Sequence, residues 1–147
     1  MAYINALSAY RETRIKTASQ GQLVVMLYEE AVKQLDRGLE LIGSGLKGNK
    51  NPGKIEKIGK AIIRAQEIIT ELMVSLDFEQ CGDIAKNLFS LYTWFNQELL
   101  ESSVSQDTTR ITVVRNMLNE LRSAWVEIAA KTSTEGMGDP AGVSLAG

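Results

Sequence analysis

The segment IEKIGKAIIRAQEIITELMVSL, residues 55–76, decides the fold class of this 147-residue chain. Its apolar residues recur at alternating intervals of three and four, which places them on one face of a helix. The preceding pair Asn51–Pro52 is typical of a helix start, with a capping side chain followed by proline in the first turn. So regular a stripe predicts a helix that packs nearly parallel or antiparallel to its neighbours. The stripe consists of Ile55, Ile58, Ile62, Ala65, Ile69, Leu72 and Leu76.

Three other segments have helical periodicity, with apolar stripes over residues 23–42, 84–99 and 111–128. Ser19 and Asp107 are suitable N-caps for the first and the last of them. The glycine-rich stretch 43–53 predicts a loop, and residues 77–83 and 101–106 interrupt the remaining stripes. We therefore predict an all-α protein whose residues 19–130 form an antiparallel four-helix bundle.

The two ends of the chain differ from this periodic region. Residues 1–18 contain apolar side chains, so we expect them to form an N-terminal segment packed on the bundle. Residues 131–147 contain four glycines, a proline and several small polar residues, and too little apolar surface to offset the entropy of ordering. They are predicted to be a flexible tail.

Composition excludes several classes of function. The chain has no histidine, which rules out catalysis by Ser-His-Asp or Cys-His groups and metal sites built on imidazole. A net charge of -2 does not favour nucleic acid as a partner. A lone Cys81 forms no internal disulfide, and no apolar run approaches the roughly 20 residues that span a bilayer. We expect a cytoplasmic protein that does not insert into the membrane and uses no cofactor or metal.

Several helices carry more apolar residues than one interhelical seam needs. Wider core faces are one explanation, and a hydrophobic groove that accepts a partner's amphipathic helix is the other. On the second explanation the N-terminal segment covers the groove until a partner displaces it. The candidate partner-binding residues are Leu7, Tyr10 and Ile15 in that segment, and Ile68, Phe89, Tyr92, Val113 and Met117 in the helices.

Short motifs spread over most of the chain resemble one protein family. Tyr10 is followed by Thr-Ala-Ser at residues 17–19 and by Leu-Tyr-Glu at 27–29. Residues 87–92 hold Asn-Leu and Leu-Tyr, and residues 121–127 read Leu-Arg-Ser-Ala-Trp-Val-Glu. Their order and spacing resemble the FliS family of flagellar export chaperones. The sequence departs from the family pattern at Gln20, Glu30, Thr93 and Trp94, where proline, glycine and Asp-Tyr are usual.

The resemblance implies a helical bundle that binds the disordered C-terminal segment of flagellin in the bacterial cytoplasm. It further implies that the bundle prevents premature polymerisation and aids delivery to a membrane protein of the flagellar type III export gate. The free protein could be a homodimer. The residues alone leave two alternatives open: a small enzyme using the carboxylates of a helical bundle, and a self-associating structural bundle without a client.

Overall fold

The computed structural model describes residues 20–43 and 51–136. This part of the chain consists of α-helices and contains no strand. The helices are α1 (Gln20–Gly43), α2 (Pro52–Val74), α3 (Phe78–Ser105) and α4 (Thr108–Gly136). Each helix packs on the next along the chain, and α1 also packs on α4, which closes a ring of four. The predicted all-α bundle is confirmed.

Two helix starts predicted from the sequence are confirmed by their capping bonds. The Asn51 side-chain oxygen accepts hydrogen bonds from the backbone N–H groups of Gly53 at 2.9 Å and Lys54 at 3.3 Å. Asp107 Oδ1 accepts from the N–H groups of Thr109 and Arg110 at 3.0 and 3.2 Å. Each carboxyl or amide oxygen therefore satisfies amides that lack an intrahelical partner.

The core contains apolar side chains from all four helices. The stripe of α2 is buried from Ile58 to Leu72, but Ile55 is exposed because it lies level with the end of α1. Ile128, near the far end of α4, is also exposed rather than part of the seam. The fully buried residues of α2 and α4 include Ile62, Ala65, Ile68, Ile69, Ile111, Val114 and Leu118.

The inner face of α3 differs from the predicted one. Ala85 and Tyr92 are buried, whereas Ile84 is 66% exposed and Leu91 is only partly buried. At Ala85 and Tyr92 the stripe of α3 that faces the core therefore runs one position later than predicted, and Ile84 lies outside it. Gly82, with φ 36° and ψ -105°, kinks α3 just before this stripe. Helical structure already resumes at Phe78, within the interruption predicted for residues 77–83.

The end of α4 differs from the predicted start of the C-terminal tail. Helix α4 continues to Gly136, so the first residues of the predicted tail are helical. Residues 137–147 and the predicted N-terminal segment 1–18 lie outside the described residues. None of the helices in the described part of the chain is both long and apolar enough to cross a membrane.

Candidate functional site

Exposed apolar side chains are distributed unevenly over the four helices. Among the described residues, α1 contributes no large exposed hydrophobic side chain, whereas α3 contributes half of them. Since isolated exposed apolar residues are ordinary, the concentration on one helix is the informative feature. The six on α3 are Phe78, Ile84, Phe89, Trp94, Leu100 and Val104.

One side of α3 faces α2 across a seam that is polar at its centre. Asn96 Nδ2 lies 3.4 Å from Thr70 Oγ1 and 3.9 Å from the Met73 sulfur. Gln66 Nε2 donates to the Asn96 carbonyl oxygen at 3.2 Å. Apolar side chains lie on both sides of this polar centre. Toward one end, about one turn away, are Ile63 and Leu100; toward the other are Val74, Phe78 and Phe89.

The two phenylalanines at that end are in contact. The rings of Phe78 and Phe89 meet edge to face with their centroids 6.0 Å apart, and both remain about half exposed. Because Phe78 precedes the kink at Gly82 and Phe89 follows it, the kink brings the first turn of α3 back along the helix. The result is an exposed aromatic pair at the start of α3.

The other side of α3 faces α4. At one end Arg110 forms ion pairs with Glu101 and, at 3.8 Å, with Glu98. One turn beyond these residues lie Trp94 on α3 and Val113 on α4, which are 40% and 42% exposed. Apolar surface therefore borders α3 on both sides.

The structure separates the predicted site residues into two groups. Phe89 and Val113 are exposed and Met117 is partly buried against the core, so these three remain predicted partner contacts. Ile68 and Tyr92 belong to the core, with 0% and 2% of their surface exposed. Their assignment to an exposed groove needs correction, because the buried faces of α2 and α3 extend over both positions.

The remaining predicted site residues, Leu7, Tyr10 and Ile15, lie outside the described residues. Trp94, in contrast, is exposed on α3 but was not among the predicted contacts. Its aromatic character is the only signal in the sequence that could have identified it, because the apolar stripe predicted for its helix does not include it.

Tyr92 instead forms a buried polar contact. Its hydroxyl is hydrogen bonded to the hydroxyl of Tyr28 on α1, and the ring centroids are 6.4 Å apart. The Trp125 side chain, from α4, lies close to the Tyr28 hydroxyl. Burial raises the pKa of both tyrosines above the usual value, because the charged phenolate would lose its hydration. Both hydroxyls therefore stay protonated at neutral pH.

The outer face between α1 and α4 is polar. Arg115 pairs with Asp36 and Arg122 pairs with Glu29, at distances of 2.8 and 3.2 Å. A shallow open groove of about 310 Å³ lies alongside these pairs and is lined by Glu29, Val32, Lys33, Asp36, Asn119 and Arg122. Opposite charges in this groove are largely paired, so it contrasts with the apolar borders of α3.

Comparison with known proteins gives one consistent result. The family model of flagellar protein FliS matches residues 3–132. The flagellar secretion chaperone FliS of Vibrio cholerae is 31% identical, with 84% of this chain and 88% of the relative covered. The FliS chaperone of Salmonella typhimurium is 31% identical over 83% of this chain and 85% of its own length. The FliS chaperone of Bacillus subtilis is 26% identical over 85% of this chain and 86% of its own length. This chain belongs to the FliS family, which is a family of flagellar chaperones and not of enzymes.

Proposed function

We propose that this chaperone binds the disordered C-terminal segment of flagellin in the bacterial cytoplasm. Binding keeps the segment from polymerising prematurely and allows its delivery to a membrane protein of the flagellar type III export gate. The observation that carries the proposal is the concentration of large exposed apolar side chains on α3. The names of the relatives, flagellar secretion chaperones, support the export role.

Physical chemistry connects this surface with a disordered client. A client segment that forms an amphipathic helix can bury its apolar face against a groove between helices. Here Phe89 borders α3 on the α2 side and Trp94 borders it on the α4 side. Coupled folding and binding typically buries on the order of 1,000 to 3,000 Å² and costs about 2 to 5 kcal/mol in ordering. This ordering cost weakens net affinity and so favours release at the export gate.

A stable complex with a flagellin fragment tests the proposal. The chain is co-expressed with a C-terminal flagellin fragment, and the product is analysed by gel filtration. We expect the two to elute together, whereas a fragment from the N-terminal region of flagellin, used as a control, should elute separately. Separate elution of the C-terminal fragment would contradict the proposal. Elution of the chaperone alone as a dimer would instead favour self-association through the same surface.

We also propose that Leu7, Tyr10 and Ile15 cover the apolar surface in the free protein. The support is topological, because α1 and α3 begin at the same end of the bundle. Gln20, the first described residue of α1, therefore lies at the end of the bundle where Phe78 begins α3. Covering and client binding would compete, as expected for a pre-existing equilibrium between closed and open states.

Deleting residues 1–16 tests this covering role. We expect increased binding of a hydrophobic dye and an unchanged or higher affinity for the C-terminal flagellin fragment, because the internal competitor is gone. Loss of fragment binding on deletion would show that the segment contacts the client directly and would refute the covering role.

A further inference from the structure

We propose that Tyr28 and Tyr92 are positioning residues, whose buried hydroxyl–hydroxyl bond holds α3 in the rotation that presents its apolar surface to the client. The inference rests on the proposed function insofar as that surface binds flagellin. Neither tyrosine is proposed to touch the client, because 0% and 2% of their surfaces are exposed.

The bond joins two helices that occupy diagonal corners of the bundle. Within the described residues, the backbones of α1 and α3 do not approach each other closely, and each helix packs along α2 and α4. The side chains of Tyr28 and Tyr92 span this diagonal, with their rings tilted by 49°. Trp125 of α4 lies close to the same Tyr28 hydroxyl, so side chains from three helices meet around one polar contact in an apolar core.

A bond of this kind selects one rotation of α3 more sharply than apolar packing does. Phe95 and Leu99 contribute contacts without directional preference, and such contacts adapt to small rotations. A hydroxyl bond is directional, and a buried hydroxyl that loses its partner is not compensated for the hydration it gave up on folding. Rotation of α3 toward Leu91 would withdraw Tyr92 and break its bond to the Tyr28 hydroxyl.

The rotation of α3 determines where its outer side chains lie. Phe89 and Trp94 flank Tyr92 in sequence, and they border opposite sides of the helix. Any rotation that moves one of them toward its neighbouring helix moves the other away. α3 packs less extensively on its two neighbours than α1 does, so the polar bond contributes a larger share of what fixes its orientation.

Three phenylalanine variants test the proposal: Tyr28→Phe, Tyr92→Phe and the double variant. Affinity for the C-terminal flagellin fragment is measured by calorimetry well below every melting temperature, together with the free energy of unfolding. Each single variant should lose both stability and about fivefold or more in affinity, where tenfold corresponds to about 1.4 kcal/mol. The double variant should regain much of the stability, because neither tyrosine hydroxyl remains unpaired, yet keep the reduced affinity.

Ile69→Val is the matched control, since it destabilises a fully buried position of α2 outside the hydroxyl contact. It should lower stability but leave affinity within about twofold of the original. The proposal is overturned if affinity follows stability through the whole series, or if no tyrosine variant changes affinity.

Hydrogen exchange of the α3 amides in the free protein provides a readout that needs no client. Exchange in α3 should be faster in the double variant than in Ile69→Val at equal stability, because α3 is less restrained. Equal exchange rates would overturn the positioning role. Failure of the original protein to bind flagellin would refute the proposed function, and the exchange comparison would still decide whether the bond restrains α3.

Discussion

Arg115 of α4 and Asp36 of α1 form a two-bonded ion pair, with Nε to Oδ1 at 2.8 Å and Nη2 to Oδ2 at 3.3 Å. Arg122 and Glu29 repeat the contact one heptad later along α4 and one heptad earlier along α1. Equal and opposite steps require that the two helices run antiparallel. The two ion pairs therefore define the register in which α4 packs on α1.

Exchanging the charges of this pair tests its contribution to the register. Asp36→Arg and Arg115→Asp should each lower the free energy of unfolding by about 0.5 to 1 kcal/mol, because each places like charges together. The predicted loss of stability is modest because the Asp36 and Arg115 side chains are 49% and 30% exposed, so solvent screens their charges. The double exchange should restore part of the loss. Urea unfolding at low and high salt measures the coupling, and absence of recovery in the double variant would contradict the assignment.

Two glycines in helical segments should respond oppositely to alanine. Gly82 adopts φ 36° and ψ -105°, where a Cβ atom is strained, so Gly82→Ala should cost about 1 to 3 kcal/mol. Gly59 lies inside α2, and a Cβ there would meet no atom within 4 Å. Gly59→Ala should therefore stabilise the protein by about 0.5 to 1 kcal/mol. Thermal unfolding of both variants measures these opposite changes in stability. Stabilisation by Gly82→Ala would show that the fold does not require the kink at residue 82.

Alkaline pH should destabilise the protein through its buried tyrosines. The pKa values of Tyr28 and Tyr92 are raised in the folded state, whereas unfolding returns them to about 10. Above pH 10 the unfolded chain therefore binds fewer protons than the folded one, and stability falls as pH rises. The slope should approach about 1.4 kcal/mol per pH unit for each tyrosine. Below pH 10 this effect should be absent.

Tyrosine absorbance measures this pH effect directly. The chain has four tyrosines, and two of them should ionise only as the fold is lost. In the Tyr28→Phe/Tyr92→Phe variant this late phase should disappear. Ionisation of all four tyrosines near pH 10 with the helical circular dichroism intact would contradict the buried hydroxyl pair.

Helix starts could be predicted because they depend on local chemistry. Asn51 and Asp107 cap amides only two or three residues ahead, and no distant contact is needed for the geometry. The inner face of α3 was harder to predict because Leu91 and Tyr92 are both apolar enough to bury. A stripe through either residue satisfies a spacing of three and four. Tyr92 bonds to Tyr28, which lies on a different helix and is not visible to a local pattern.

The candidate site shows the same limit. The sequence reveals a surplus of apolar residues on the helices, but burial depends on where neighbouring helices lie. Ile68 and Val113 belong to the same predicted surplus, yet Ile68 is fully buried and Val113 is 42% exposed. Trp94 lies outside the predicted stripe, and its exposure depends on where α4 packs on α3, which the ion pair between Arg110 and Glu98 helps to define.

The central claim is that the apolar borders of α3 bind the flagellin segment. Calorimetry with the C-terminal flagellin fragment compares Phe89→Glu and Val113→Glu with the control Thr112→Glu. The control adds the same charge at an exposed position on the α1-facing side of α4. We predict that the first two variants stay folded and lose about tenfold or more in affinity, while Thr112→Glu binds as the original does. Undiminished binding by both Phe89→Glu and Val113→Glu would contradict the account.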